Sequence, residues 1–389
     1  MKILVVLKDL YVGGIQKSCV NFVNFLTCMG KDVDLLLFNK NGPLLSQISS
    51  KVNIKELKNN SLLPFSVSQK EAKSFGRMFY LKRTITAVIC KTIGNKFLLK
   101  RSLKKQPKLN TVYDIAISFA PSTGTKSLTV GCAEYVLQKT SAKQKWIFVH
   151  SDYDKSGLNE PYATSIFEKF DKILCVSNSC AEQMKQSQPL LKQKIDFLYN
   201  ICDEEDIIKK ASEEVPKLSN SFNLITVARL SEEKGHIRLL EQLKKLKQEG
   251  FEFVYTIVGD GNEYDAIKKY IIQNEMDDYV KMLGNKNNPY PYMKEADLFI
   301  LPSFHESYGL VLIDSFILGV PALSTNTCSA EEVVGDNGFI CENSGLGLYE
   351  KIKELLTTKS LVQAKKEKLS NYKFPKNEIA RKLNELFGA

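Results

Sequence analysis

Residues 297–321, DLFILPSFHESYGLVLIDSFILGVP, constrain the architecture of this chain more than any other stretch. They open with four apolar residues, Leu298 to Leu301, a length suited to a buried strand. Pro302 and Ser303 end the run, and a polar loop, Phe304 to Ser307, carries His305 and Glu306. After Gly309, the apolar residues Leu310, Val311, Ile313, Phe316 and Ile317 take the spacing of a helix packed on a sheet. Gly319 and Pro321 stop it. Glu306 therefore stands beyond the carboxyl end of a strand and just before a helix N-terminus. Open α/β sheets bind ligands there, and backbone N–H groups there face anions. Asp314 follows eight residues on, about two turns at ~3.6 residues per turn, and can lean back toward the same crevice.

The same strand–loop–helix grammar recurs along the chain. Residues 3–7 read as a strand, the loop Lys8 to Gly14 ends in Gly13-Gly14, Ile15 to Cys28 is helical, and Asp32 to Phe38 is a second strand. Further strands are expected at 114–119, 146–150, 172–177, 222–227, 253–258, 280–283 and 322–325. Ser177-Asn178-Ser179 caps a helix. Residues 201–221 read as a linker containing a helix, Lys351 to Leu369 as a helix, and Ile379, Leu383, Leu386 and Phe387 as a final amphipathic helix. A chain of 389 residues predicts two domains, at roughly 150 residues each.

Several classes are disfavoured. No apolar run approaches the ~18 residues of a membrane span. Met1-Lys2 precedes only five apolar residues, which reads as a first strand and not as a signal peptide. Nine cysteines without a CxxC pair suggest neither a zinc site nor a disulfide framework, so a reducing cytoplasm is expected. Gly259-Asp260-Gly261 follows a strand, but position 264 is Tyr, so the dinucleotide fingerprint is incomplete and NAD is not inferred. Asp152-Tyr153-Asp154 spells Asp-x-Asp, three letters that recur by chance, and is set aside as a metal site.

The net charge of +10 is concentrated. Between Lys70 and Lys108 there are twelve basic residues against one acid, Glu71, which accounts for the whole excess. Phe75, Met78, Phe79, Leu81, Ile85, Val88, Ile89, Ile93, Phe97, Leu98, Leu99 and Leu103 interleave with them. A basic amphipathic segment of this kind suits an anionic membrane surface. A solvated helical face is the plainer reading. Nothing else in the chain matches a nucleic-acid-binding motif, so nucleic acid is not expected as a partner.

Glu306 and Asp314 at this spacing, within PSFHESYGLVLIDSFILGVP, resemble the Glu-x7-Glu motif of the retaining glycosyltransferases of family 4, also called glycosyl transferases group 1. Asp314 departs from it, one methylene shorter than the usual Glu. The word ARLSEEKGHIRLLEQL, with Arg229 and Lys234 flanking a tight loop, is similar to that family's Gly-Arg-Leu…Lys-Gly word, with Ala228 for the glycine. Gly13-Gly14, LGNKNNPYPYMKEADLFILP and EVVGDNG resemble further family segments. The likeness runs along nearly the whole chain, strongest over 222–340 and weakest over 40–110.

The resemblance implies the GT-B fold: two doubly wound, Rossmann-like α/β domains facing across a cleft. It implies an acceptor-binding domain at 1–200, a donor domain at 201–373, and a C-terminal helix at 374–389 crossing back to the N-terminal domain. Arg229 and Lys234 would grip the donor diphosphate, Glu306 the donor sugar and Asp314 the ribose, and His150, ending the strand in WIFVHSDYD, would face the reacting sugar. Gly14, Gly259, Gly261, Gly284, Ser307, Tyr308, Gly309 and Leu310 would line the donor site. The implied reaction needs neither metal nor cofactor. It moves a hexose or N-acetylhexosamine from a nucleoside diphosphate sugar, UDP-linked by expectation, to a lipid-linked saccharide. The setting would be capsule, exopolysaccharide or lipopolysaccharide assembly at the inner membrane face. A non-catalytic nucleotide-sugar binder and an epimerase are the alternative uses of such a fold.

Overall fold

A run of buried apolar residues long enough for one strand cannot satisfy its backbone alone, and here each such run pairs in parallel with its neighbours. The computed structural model describes residues 1–11, 13–57, 61–67, 69–128, 131–215 and 219–388. Parts of the loop 8–14, the basic segment 62–108 and the linker 201–221 lie outside the described residues. The chain divides into two units, Met1–Ile201 and Cys202–Ala389, the second including the final helix Lys376–Phe387.

The first unit holds β1 (Lys2–Leu7), β2 (Asp32–Leu37), β3 (Asn53–Glu56), β4 (Val112–Ser118), β5 (Ser141–Val149), β6 (Lys172–Cys175) and β7 (Ile195–Phe197). They form one parallel sheet in the order β3-β2-β1-β4-β5-β6-β7. The order reverses between β1 and β4, where Val6 pairs with Ser118. The helix Gly14–Cys28 lays Phe22 against Phe119 and Phe148 with ring centroids 5.4 and 5.2 Å away, an aromatic core at the carboxyl ends of β4 and β5.

The second unit holds β8 (Phe222–Val227), β9 (Phe253–Val258), β10 (Val280–Gly284), β11 (Leu298–Leu301), β12 (Ala322–Thr325) and β13 (Gly338–Cys341), in the order β10-β9-β8-β11-β12-β13. All pair in parallel. Here the reversal falls between β8 and β11, with Leu298 opposite Leu224. Both sheets are thus doubly wound, and each has one switch point at which a ligand crevice is expected.

Two expectations need correction. The apolar spacing over 351–369 is not one helix: Gly345–Thr357 and Lys359–Leu369 are separate. Thr358, at φ −115° and ψ 67°, leaves the helical region, and its N–H closes the first helix on the Glu354 carbonyl. The basic segment is also broken, into Gln69–Ala72, Arg77–Thr92 and Lys96–Lys104. The second break falls where Gly94 takes φ 106°.

Candidate functional site

The switch point of the second sheet decides which side chains can meet. β8 and β11 are neighbours, so the loop after β8, carrying Arg229 and Lys234, emerges beside the loop after β11, carrying Glu306. The Lys234 Nζ donates to Glu306 Oε2 at 2.6 Å, and both side chains are 18% exposed. Arg229 stands out in solvent, 72% exposed, with Glu233 at 3.7 Å.

Close backbone contact brings the two loops together. Gly235, at φ 67°, opens the helix His236–Gln248, and a Cβ there would lie 2.2 Å from the Pro302 carbonyl oxygen. Only glycine fits both the left-handed conformation and that approach. Gly259 and Gly261 serve the Arg229 loop in the same way. Cβ atoms on them would lie 1.9 Å from the Ala228 oxygen and 2.1 Å from the Leu230 oxygen. The Leu230 N–H donates to the Asp260 carbonyl at 3.0 Å. Gly284 accepts the Gly259 N–H at 2.9 Å through its carbonyl.

Ser307 and Tyr308 are buried in the β11 loop, and Gly309, at φ 75°, precedes the helix Leu310–Ile317 that bears Asp314. Asp314 is half-buried. Burial, and after it the Asp314 charge, pushes the pKa of the buried Tyr290 phenol up. His236, the first residue of its helix, is 2% exposed. Burial drives its pKa down to about 4, further than the Arg229 backbone raises it, so it is neutral at pH 7.

Sequence reasoning missed Arg238 and Asn343. Arg238 donates to the Pro302 carbonyl at 2.6 Å and to Asn343 Oδ1 at 2.9 Å, and its guanidinium lies 3.9 Å from the Phe304 ring centre. Asn343 follows β13, the edge strand that sequence reading did not identify. Arg238 falls within the word ARLSEEKGHIRLLEQL but on its helix, beyond the Arg229–Lys234 loop, and Asn343 follows a strand that no apolar run marks.

Gly14 and His150 belong to the first unit. Gly14 is exposed at the first turn of its helix, and a Cβ there would meet nothing within 4 Å. His150 follows β5, its ring 4.8 Å from Phe119 and 5.5 Å from Phe148. Burial takes its pKa down to about 3 against the opposing Phe119 backbone, and its buried Nε2 has no hydrogen-bond partner. A neutral imidazole with an open nitrogen can hydrogen-bond a hydroxyl but is poorly placed to carry charge. Asp152 of the Asp-x-Asp triplet accepts from the Asp154 and Lys155 N–H groups at 3.1 and 3.3 Å, a turn-closing role. Among the described residues, no group of three or more His, Cys, Asp or Glu is disposed to hold a metal.

The helix Arg77–Thr92 buries only Thr86 and Cys90. Met78, Leu81, Ile85 and Val88, at spacings that share one helical face, are 87, 59, 50 and 56% exposed. Ile93 and Phe97 beyond them are 86 and 72% exposed. Lys82, Lys91, Lys96 and Lys100 are exposed alongside. No described helix is long and apolar enough to cross a membrane.

Known proteins share this fold. Residues 207–373 match the family described as glycosyl transferases group 1. A relative from Campylobacter jejuni is 30% identical over 230 residues, 58% of this chain and 62% of its own length. It is named as the N-acetylgalactosamine-N,N'-diacetylbacillosaminyl-diphospho-undecaprenol 4-alpha-N-acetylgalactosaminyltransferase. The chain thus spans less than two thirds of that relative, and 59% of a glycosyltransferase from Methanocaldococcus jannaschii that is 25% identical over 60% of this chain. Among solved structures, a glycosyltransferase from Rickettsia africae superposes with TM-score 0.66 at 20% identity over 99% of this chain and 97% of its own. HepE of Anabaena, solved with UDP and glucose, superposes with TM-score 0.67 at 17% identity over the full length of both chains. The segment 207–373 is thus similar to the glycosyl transferases group 1 family, and the chain shares the GT-B fold of these solved structures.

Proposed function

We propose that this chain transfers a hexose or N-acetylhexosamine from a UDP-sugar to a hydroxyl of a lipid-linked saccharide, with retention at the anomeric carbon and without a metal ion. The observation that carries the reading is the 2.6 Å Lys234–Glu306 pair at the switch point, beside the exposed Arg229 and the helix that starts after Gly235. A leaving diphosphate demands positive charge, and Arg229, Lys234 and that helix N-terminus supply it. The incoming diphosphate competes with Glu306 for Lys234, which leaves the carboxylate to face the sugar and its developing positive charge. The bond from C1 to the phosphate oxygen breaks, the bond from C1 to the acceptor oxygen forms on the same face, and the leaving phosphate takes the acceptor proton. His150, neutral with an open Nε2, hydrogen-bonds a sugar hydroxyl. Asp314 holds the ribose.

The name of the Campylobacter relative supports an N-acetylhexosamine and a lipid diphosphate acceptor, and HepE supports UDP. The apolar face Met78–Phe97, with its flanking lysines, fits the anionic surface on which such an acceptor sits, at the inner face of the membrane.

A thermal-shift panel of UDP, UDP-sugars and GDP-mannose, with EDTA, on the wild type and Arg229→Ala tests this. A ligand at 100 times its dissociation constant stabilises the native state by about 2.7 kcal/mol. The expected result is a metal-independent shift with UDP and one UDP-sugar, weakened in the variant. A panel that leaves the wild type unmoved, or a shift abolished by EDTA, would overturn the reading. Binding without transfer to any lipid-linked saccharide would leave a nucleotide-sugar binder.

A further inference from the structure

The Glu306 loop is held by more than its own turn. Arg238 Nη2 donates to the Pro302 carbonyl at 2.6 Å. Its Nη1 donates to Asn343 Oδ1 at 2.9 Å and to the Asn343 carbonyl at 3.3 Å. The guanidinium also lies over Phe304, 3.9 Å from the ring centre. Asn343 Nδ2 in turn donates to the Phe304 carbonyl at 3.0 Å, and the Phe304 N–H donates to the Glu233 carbonyl at 2.9 Å. Both backbone polar groups of Phe304 and the carbonyl of Pro302 are thereby fixed from other segments. Glu306 is only two residues further, and two residues span at most ~7 Å, so fixing Phe304 confines it. The planar fork of arginine is what lets one side chain reach the strand end and Asn343 while stacking on an aromatic ring. Arg238 is committed to protein oxygens, whereas Arg229 stands in solvent where a ligand can reach it.

We propose that Arg238 and Asn343 form a positioning clamp that holds the Glu306 loop against Lys234 and so sets where the donor sugar is bound. The proposal rests on the sugar-nucleotide reading for its consequence, but the clamp itself is testable on the ligand-free protein.

The test uses full-length wild type, Arg238→Met, Arg238→Lys and Asn343→Asp. The last keeps an acceptor for Arg238 and loses the donor to Phe304. Hydrogen–deuterium exchange without ligand is followed on peptides covering 302–309. UDP affinity is measured by calorimetry, and kcat and KM by UDP release from UDP-N-acetylglucosamine and UDP-N-acetylgalactosamine. For Arg238→Met, exchange should rise in 302–309 while β8 and β11 keep their protection. UDP affinity should stay close to wild type. The kcat should fall on the order of 10- to 100-fold with little change in KM, because a small misplacement of a positioning group has that effect. Asn343→Asp should fall between Arg238→Met and wild type, and Arg238→Lys should recover only part of the loss. Unchanged exchange in 302–309 would overturn the clamp, as would activity that falls only in step with the overall melting temperature. A wild type that binds neither UDP nor a UDP-sugar would sink the sugar-nucleotide reading, and the exchange result would still decide the clamp.

Discussion

Glu306 is a charged side chain that the protein draws in, 18% exposed and paired with Lys234 at 2.6 Å, whereas Met78 is an apolar side chain that it leaves out, 87% exposed. Around Glu306 the chain itself supplies a partner for the charge and fixes the loop. Along Arg77–Thr92 only Thr86 and Cys90 are buried, and the apolar stripe faces solvent. Seven of the fifteen large apolar side chains exposed among the described residues fall between 75 and 97. Scattered exposed apolar residues need no explanation, but a contiguous set of them marks an interaction surface. The first region meets its charge with a partner from within the chain, whereas the second presents an exposed apolar stripe flanked by lysines.

The comparison breaks first at the pair. Glu306→Gln keeps the shape and removes the charge, and Lys234→Met removes the cation. Each should lower turnover on the order of 10²- to 10³-fold, about 3–4 kcal/mol of barrier, the scale seen when one preorganised electrostatic group is lost. The double variant should be little worse than the poorer single one, because the two act as a unit. Initial rates of UDP release with a lipid-linked saccharide check this. Losses of less than about threefold in both single variants would reduce the pair to an ordinary partly exposed ion pair.

The helix face gives a smaller effect and a different readout. Replacing Met78, Leu81, Ile85 and Val88 together by Ser leaves Thr86 and Cys90 in place, so the fold should survive. Co-sedimentation with phosphatidylglycerol vesicles should fall by about tenfold or more, since each buried methylene contributes about 0.8 kcal/mol to membrane binding. Wild-type binding should weaken as salt rises and be feeble on phosphatidylcholine, because the lysines act within a Debye length. UDP affinity should not change. Equal binding by wild type and variant would return the segment to a solvated face.

The same contrast explains what is legible in the sequence. Leu298–Leu301, Phe222–Val227, Phe253–Val258 and Ala322–Thr325 fall where the apolar runs put them, because central parallel strands are buried on both faces and end at glycine, proline or polar residues. β3, β7 and β13 give no such signal. They are edge strands, short and partly exposed, and NIKE at 53–56 carries no apolar run to find. Arg229, Lys234 and Glu306 are legible because they follow strands that apolar runs mark, Phe222–Val227 and Leu298–Leu301. Arg238 and Asn343 are not, because their partnership joins positions 105 apart and Arg238 meets Pro302 across 64. Neighbourhood of that kind is a property of the sheet order, which no local pattern spells out.

Acidity gives the finest probe of how each unit is held. His150 in the first and His236 in the second are both kept neutral by burial, with pKa values lowered to about 3 and about 4. The unfolded imidazole takes up its proton near pH ~6.5. Below that pH the unfolded chain binds more protons than the folded one, so each histidine's contribution is fully present above about 6.5 and is lost as pH falls toward the folded value. The slope is roughly 1.4 kcal/mol per histidine per pH unit in that window. Melting temperatures between pH ~7.5 and ~4.5 should therefore fall on the acid side for wild type. His236→Gln and His150→Gln should each flatten that limb, whatever they do to stability at neutral pH, because glutamine has no proton to gain. If the variants keep the wild-type slope, the acid limb comes from carboxylates instead, and the neutral state of the two imidazoles contributes nothing to how either sheet's carboxyl end is held.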